Sequence, residues 1–148
     1  MSFESAQGFT IRVVDWAAEA AKLRAVRLAV FVIEQNIAEE LEWDEHDAVS
    51  MHALAEDPGG VPIGCGRLLR DGHIGRVAVL SDWRGQGVGA ALLAALITLA
   101  QMRGDKRVLL NAQTQAMPFY ARLGFAPTGE EFVEAGIPHQ KMVRMLPS

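Results

Sequence analysis

Val77-Ala78-Val79 followed by Arg84-Gly85-Gln86-Gly87-Val88-Gly89-Ala90 is the stretch that decides how this chain is read. Three glycines alternate with small or polar residues at the end of an apolar strand pattern and just before an apolar helical one. Glycine lets the backbone come close to a ligand, and the free N–H groups of a helix's first turn point outward at the positive end of its dipole. The loop therefore reads as a cradle for an anion, with a phosphate-bearing guest. A P-loop is excluded, because Gly89 is followed by Ala90, Ala91 and Leu92 and not by the Lys and Ser or Thr that reach phosphates and magnesium. A dinucleotide fingerprint is closer, since Gly85-x-Gly87-x-x-Ala90 fits it and Asp105 follows. Against it, residues 81–84 separate the glycines from the strand, Asp105 precedes the next strand, and too little chain remains for a doubly wound sheet. What is left is a pyrophosphate loop with Arg84 at its mouth.

Outward from the loop, residues 74–80 read as the strand that feeds it. Asp71-Gly72 predicts a two-residue hairpin back to a strand over 63–69, and residues 51–55 supply the strand before that. Downstream, Val88, Leu92, Ala95 or Leu96, Leu99 and Met102 recur at helical spacing, and Gly104 ends the helix. A strand over 107–111 follows. Thr114 is placed to cap a short helix ending before Gly124, with Pro118 tolerable only near its first turn. Residues 132–133 and 141–146 form a last pair of strands around a turn at Ala135-Gly136-Ile137-Pro138. At the other end, residues 10–14 form a strand, Asp15 caps a helix, and Trp16, Ala20, Leu23, Val26, Val30 and Ile33 form its apolar face. The β-branched residues from Val30 to Ile33 predict an early end to that helix.

This order gives a mixed α/β fold: a mostly antiparallel sheet flanked by helices, with a parallel crossover that puts the glycine loop at the carboxyl end of the fourth strand. Ligands gather at such places. At 148 residues the chain suits one domain over 1–148. A net charge of −4 argues against a nucleic-acid partner and favours a cationic small substrate. The longest apolar run, over 88–100, falls short of the roughly 20 residues that cross a bilayer, and no basic-then-apolar leader opens the chain. A cytoplasmic protein without a membrane partner is expected. A lone Cys65 in a strand pattern reads as a buried small hydrophobe, and four scattered histidines give no metal-ligand spacing. Glu39, Glu40, Glu42, Asp44, Glu45 and Asp47 form an acidic segment, with Trp43 and His46 among them. It reads either as a solvated loop or as a mouth whose field attracts amines.

The chain resembles the GNAT superfamily of acyl-CoA-dependent N-acyltransferases. The resemblance rests on Val77-Ala78-Val79, on Arg84-x-x-Gly87-x-Gly89, and on Ala116-x-x-Phe119-Tyr120-x-x-x-Gly124-Phe125. Val30-Phe31-Val32-Ile33-Glu34-Gln35, Leu110-Asn111-Ala112-Gln113 and Gly136-Ile137-Pro138-His139 are similar to the ElaA-like branch, which extends the match to nearly the whole chain. The resemblance implies a sheet splayed between the fourth and fifth of the strands above. Acetyl-CoA would be the co-substrate, its pyrophosphate on Gly85, Gln86, Gly87, Val88, Gly89 and Ala90 with Arg84 beside it. Its pantetheine arm would lie along Val77, Ala78 and Val79, near Asn111 and Gln113. An N–H near Val79 would polarise the thioester carbonyl.

By the same resemblance the amine attacks directly, and Tyr120 protonates the departing thiolate. Glu34 is the first candidate for the base and His52 the second, and Gln35 and His139 belong to the acceptor pocket. Where the superfamily often has asparagine, this chain has Gln113. Three readings remain open: an N-acetyltransferase for a small primary amine, one for a protein N-terminus or lysine, and a non-catalytic acyl-CoA-binding or regulatory domain. Monomer and homodimer are equally compatible with the sequence.

Overall fold

The computed structural model describes residues 2–4, 8–39 and 44–147. Five strands form one antiparallel sheet in chain order: β1 (Ser2–Glu4), β2 (Thr10–Val14), β3 (Met51–Glu56), β4 (Pro62–Leu68) and β5 (Ile74–Val79). A second sheet holds β6 (Arg107–Gln113) against β9 (Ile137–Met145), which also pairs with β7 (Ala126–Pro127) and β8 (Phe132–Glu134). The helices are α1 (Trp16–Arg27), α2 (Val88–Arg103) and α3 (Met117–Arg122).

Strand parity puts the two layers of core in place. Along β3, Ala53 and Ala55 face the cluster around α2, while Leu54 between them faces Leu23, Val26, Val30 and Phe31. The sheet is therefore covered on both faces. Its middle strands are buried almost throughout, and Cys65 sits there at 1% exposure as the strand pattern predicts. α2 is apolar nearly all round and buries Val88, Leu92, Leu93, Ala95, Leu96, Ile97, Leu99 and Ala100. Met102, expected on that buried face, is exposed, while Leu99 and Ala100 just before it are buried.

Three local expectations change. The β4–β5 hairpin closes through a three-residue loop: Leu69 N donates to His73 O, and Gly72 has φ +96°. Asp71-Gly72 ends that loop and does not form it alone, which is the pattern of a type I turn followed by a left-handed residue. The first helix does not simply stop. After Arg27 it widens into a π-helix over Leu28–Glu34, with Gln35 N donating to Val30 O five residues back. The wider turn rotates the apolar face, so Ile33 emerges into solvent while Phe31 is buried. Thr114 opens a 3₁₀ turn, and no side chain caps α3.

β5 and β6 are parallel neighbours that meet only at their beginnings. His73 bridges Leu109, and Leu109 N donates to Gly72 O. Along β5 the register with β4 then slips, Cys65 facing Ala78 but Arg67 facing Gly75, so Gly66 is opposed by two residues. Arg76 in that bulge has φ +51°. A bulge bends its strand and ends local pairing. Here it accompanies the splay of β5 away from β6, and the opening widens toward the glycine loop.

Candidate active site

The splay opens into a cavity of about 980 Å³. Gly75, Arg76, Val77, Ala78 and Val79 form one wall along β5, Leu110, Asn111 and Gln113 the other along β6, and Arg84, Gly85, Gly87, Val88, Gly89 and Ala90 the end. Gly85 and Gly87 have φ +77° and +87°, values that only glycine adopts without strain. A Cβ built at Gly85 would meet nothing within 4 Å, so the backbone shape and not crowding calls for glycine. Gly87 is the N-cap of α2 and has no side chain to offer. The N–H groups of Val88, Gly89 and Ala90 are thus left by the helix for a ligand, while Ala91 N already bonds Gly87 O at 3.0 Å. These features suit a diphosphate. The unpaired edge of β5 beyond it suits an extended amide-bearing arm.

Tyr120 reaches the same cavity from α3, edge-on to Phe119 and Phe125 at 5.1 and 6.1 Å between ring centroids. Its neighbours leave the phenol little water, and burial pushes its pKa up to about 12. At neutral pH it holds its proton.

The acetyltransferase (GNAT) domain family matches residues 17–146. The chain belongs to the GNAT acetyltransferase family. It is 43% identical over 123 residues to the uncharacterized N-acetyltransferase YjcF of Bacillus subtilis, covering 80% of this chain and 87% of that protein. Among solved structures, an acyl-CoA N-acyltransferase from Pseudomonas aeruginosa aligns with a TM-score of 0.81 at 32% identity, over 93% of this chain and 99% of the other. Escherichia coli ElaA aligns at 0.79 and 31% identity, over 90% and 98%. Acyl transfer is the chemistry this family supports.

In this GNAT cleft the polar side chains facing the glycine loop are largely paired, with one another or with Arg84 of the loop. Glu34, at the end of the π-helix, receives both outer nitrogens of Arg84 at 2.6 Å each, while Arg84 Nε donates to Val79 O at 3.0 Å. The hydrogen bond from Arg84 holds the Glu34 carboxyl below its usual range. A carboxylate so held is a poorer proton acceptor, and as a base it would first have to leave Arg84. Next in sequence, Gln35 Oε1 accepts from Gln113 Nε2 at 2.9 Å and so ties the π-helix to β6 across the cleft. Gln115 Nε2 donates in turn to Gln113 Oε1 at 2.6 Å.

His52 is not brought to the cavity. Strand parity puts it on the α1 face with Leu54, at 1% exposure, against the Trp16 ring at 5.5 Å and with Nε2 2.8 Å from Asp47 O. Burial there lowers its pKa. Trp83 lines the cavity and packs edge-on against Phe9. His139 does line the cavity, on β9, with Nδ1 2.7 Å from Ile137 O and Nε2 3.7 Å from Glu134 Oε2.

Two carboxylates of the acidic segment, Asp44 and Asp47, are taken up by arginines. Asp47 is 2% exposed and accepts from Arg27 (3.0 Å to each outer nitrogen) and from Arg67 at 2.9 Å. Asp44 accepts from Arg67 at 2.8 and 2.9 Å and from Arg76 at 3.3 Å. Burial would raise the Asp44 pKa, but the bonds and charges of Arg67 and Arg76 outweigh it and lower the value to about 2. Arg67 and Arg76 line the cavity, and the two aspartates stand behind them. Glu40, Glu42 and Trp43 lie outside the described residues. Sequence reasoning missed Arg67, Arg76 and Glu134, since isolated strand residues carry no spacing signal. Among the described residues no group of three His, Cys, Asp or Glu is arranged to hold a metal, and no helix is long and apolar enough to cross a membrane.

Proposed function

We propose that this protein transfers the acetyl group of acetyl-CoA to a primary amine by direct attack, with both reactants held in the cleft between β5 and β6. The observation that carries this reading is the convergence on one cavity of three things: the uncapped N-terminus of α2, the unpaired edge of β5, and Tyr120. The donor, when bound, supplies an activated acyl thioester. Val88, Gly89 and Ala90 would hold its diphosphate through their N–H groups, with Gly85, Gln86 and Gly87 shaping the loop and Arg84 beside it. Val77, Ala78 and Val79 would hold its arm, flanked by Asn111 and Gln113, and an N–H near Val79 would face the thioester oxygen.

Phe31, Val30, Ile37 and Phe119 give the cavity an apolar lining that limits water. Most of the rate would come from alignment of the two reactants, since no protein nucleophile is required. Tyr120 would hold a proton at its hydroxyl for the departing sulfur. A phenol near 12 facing a thiol of about 8.5 is an uphill donor, so the proton moves with bond breaking and not before it.

A melting experiment with acetyl-CoA, followed by an amine panel read by release of free thiol, tests the reading. Acetyl-CoA at a hundred times its Kd should stabilise the fold by about 2.7 kcal/mol. No shift and no turnover reject the proposal. A shift without turnover on any small amine or peptide assigns the chain to acyl-CoA binding alone. Turnover only on peptides assigns a protein acceptor.

A further inference from the structure

We propose that His139 Nε2 is the base that takes the proton from the acceptor ammonium. The proposal rests on the acetyltransferase reading above. An alkyl ammonium of pKa about 10 has no lone pair to attack with at neutral pH, so a group in the cavity must accept its proton first. Besides Tyr120, which is a proton donor here, the titratable acceptors lining the cavity are Glu34, His73, Glu134 and His139. Both Glu34 oxygens are held by Arg84. His73 lies at the closed end of the splay, where it bridges Leu109, and its Nδ1 is 3.0 Å from Asp71. That is the end of β5 far from the glycine loop. Glu134 is over half exposed.

His139 is the acceptor whose state the surrounding structure fixes. Its β9 register puts it opposite Gln113 of β6 on one side and Phe132 of β8 on the other. It is 7% exposed, and the Phe132 ring stacks on it at 5.8 Å and 22°. Nδ1 lies 2.7 Å from Ile137 O. A carbonyl only accepts, so Nδ1 carries the hydrogen and the neutral ring keeps its lone pair on Nε2. Glu134 Oε2 at 3.7 Å from Nε2 is too far for a hydrogen bond to the ring, so the Nε2 lone pair is not taken by that carboxylate. Orientation and tautomer are thus set to present the Nε2 lone pair. Among the described residues Glu134 is the charged group facing the ring, and the other neighbours across the ladders, Gln113 and Phe132, are neutral.

The protons balance. Nε2 takes one from the ammonium and passes it to solvent past Glu134. The freed nitrogen lone pair forms the C–N bond as the C–S bond breaks, and the nitrogen's second proton is matched by the one Tyr120 gives to sulfur and recovers.

The test is His139→Asn, whose side-chain amide can still donate to Ile137 O while no base remains. Its kcat/KM for the amine at pH 7 should fall about a hundredfold. The deficit should shrink as pH rises toward the amine's own pKa, and the acetyl-CoA melting shift should be unchanged. In the unliganded wild-type protein, ¹⁵N NMR of labelled histidine should show neutral His139 protonated on Nδ1. Wild-type turnover by the variant, a deficit constant with pH, or an Nε2–H tautomer overturns the proposal. So does loss of the acid limb of the pH–rate profile in Glu34→Gln, which would give the role to Glu34. A wild-type protein with neither melting shift nor turnover rejects the acetyltransferase reading and the base together; a wild type that shifts and turns over beside an undiminished variant rejects His139 alone.

Discussion

At the glycine end of the cleft the groups offered to a ligand belong to the main chain: the amides of Val88, Gly89 and Ala90, and the edge of β5. At the opposite side they are side chains, and these are bound to each other before any ligand arrives. Glu34 is paired with Arg84 of the glycine loop, Gln35 with Gln113, and Arg67 and Arg76 with Asp44. Main-chain groups are fixed by φ and ψ and need no partners to hold their direction. Side chains carry rotamer freedom, and paired charges hold that freedom down. The first region therefore suits an invariant handle such as a diphosphate. The second suits the part of the reaction in which acceptors differ.

The side-chain region breaks most easily at Asp47. Removing it by Asp47→Ala takes a shared carboxylate from Arg27 and Arg67 at 1% and 5% exposure, while Arg67 keeps its bonds to Asp44, and should cost about 3 kcal/mol in urea unfolding. A loss under about 1 kcal/mol would mean the cluster does not hold that side together. Next in size is Tyr120→Phe. We expect kcat to fall about a hundredfold, roughly 2.7 kcal/mol, with acetyl-CoA affinity within about twofold of wild type. Unchanged turnover across pH removes Tyr120 from the chemistry.

A smaller effect comes from acid. The Asp44 pKa is depressed from 3.8 to about 2 in the fold, so its contribution is complete above the unfolded value and is lost as pH falls through the folded one. Stability should therefore drop between about pH 4 and pH 2 by on the order of 2 kcal/mol more in wild type than in Asp44→Asn. Parallel acid curves for the two proteins would show that Arg67 and Arg76 do not stabilise the ionised form.

The same division explains what could be read in advance. The loop at Arg84 to Ala90, the helix after it and the existence of the hairpin before it, though not its three-residue loop, follow from glycine placement and periodicity, which act within a few residues. The splay between β5 and β6 came by resemblance, and the bulge at Arg76 that accompanies it leaves no mark in the sequence. Widening of the helix at Leu28–Glu34 was half visible: the β-branched cluster signalled a change, but not that the chain would go on as a π-helix and turn Ile33 outward. β1 and β7 are too short, at three and two residues, to show alternation. His52 was misleading because chemistry suggested a base while strand parity, shared with Leu54, assigns it to the α1 face. Asp44 and Asp47 looked like part of a solvated acidic run, since their arginine partners are 20 to 32 residues away along the chain. Ion pairing at that range is a property of the folded sheet and not of a local pattern.

The measurement that tests the central claim most directly is calorimetric titration of acetyl-CoA into wild type and Gly87→Val. Gly87 holds φ +87° at the N-cap of α2, where a β-branched residue is strained and the first-turn amides must shift. One-site binding by wild type, and binding at least tenfold weaker by the variant, roughly 1.4 kcal/mol, is the predicted result. Equal affinity in the two proteins would contradict the assignment of the donor to the glycine loop.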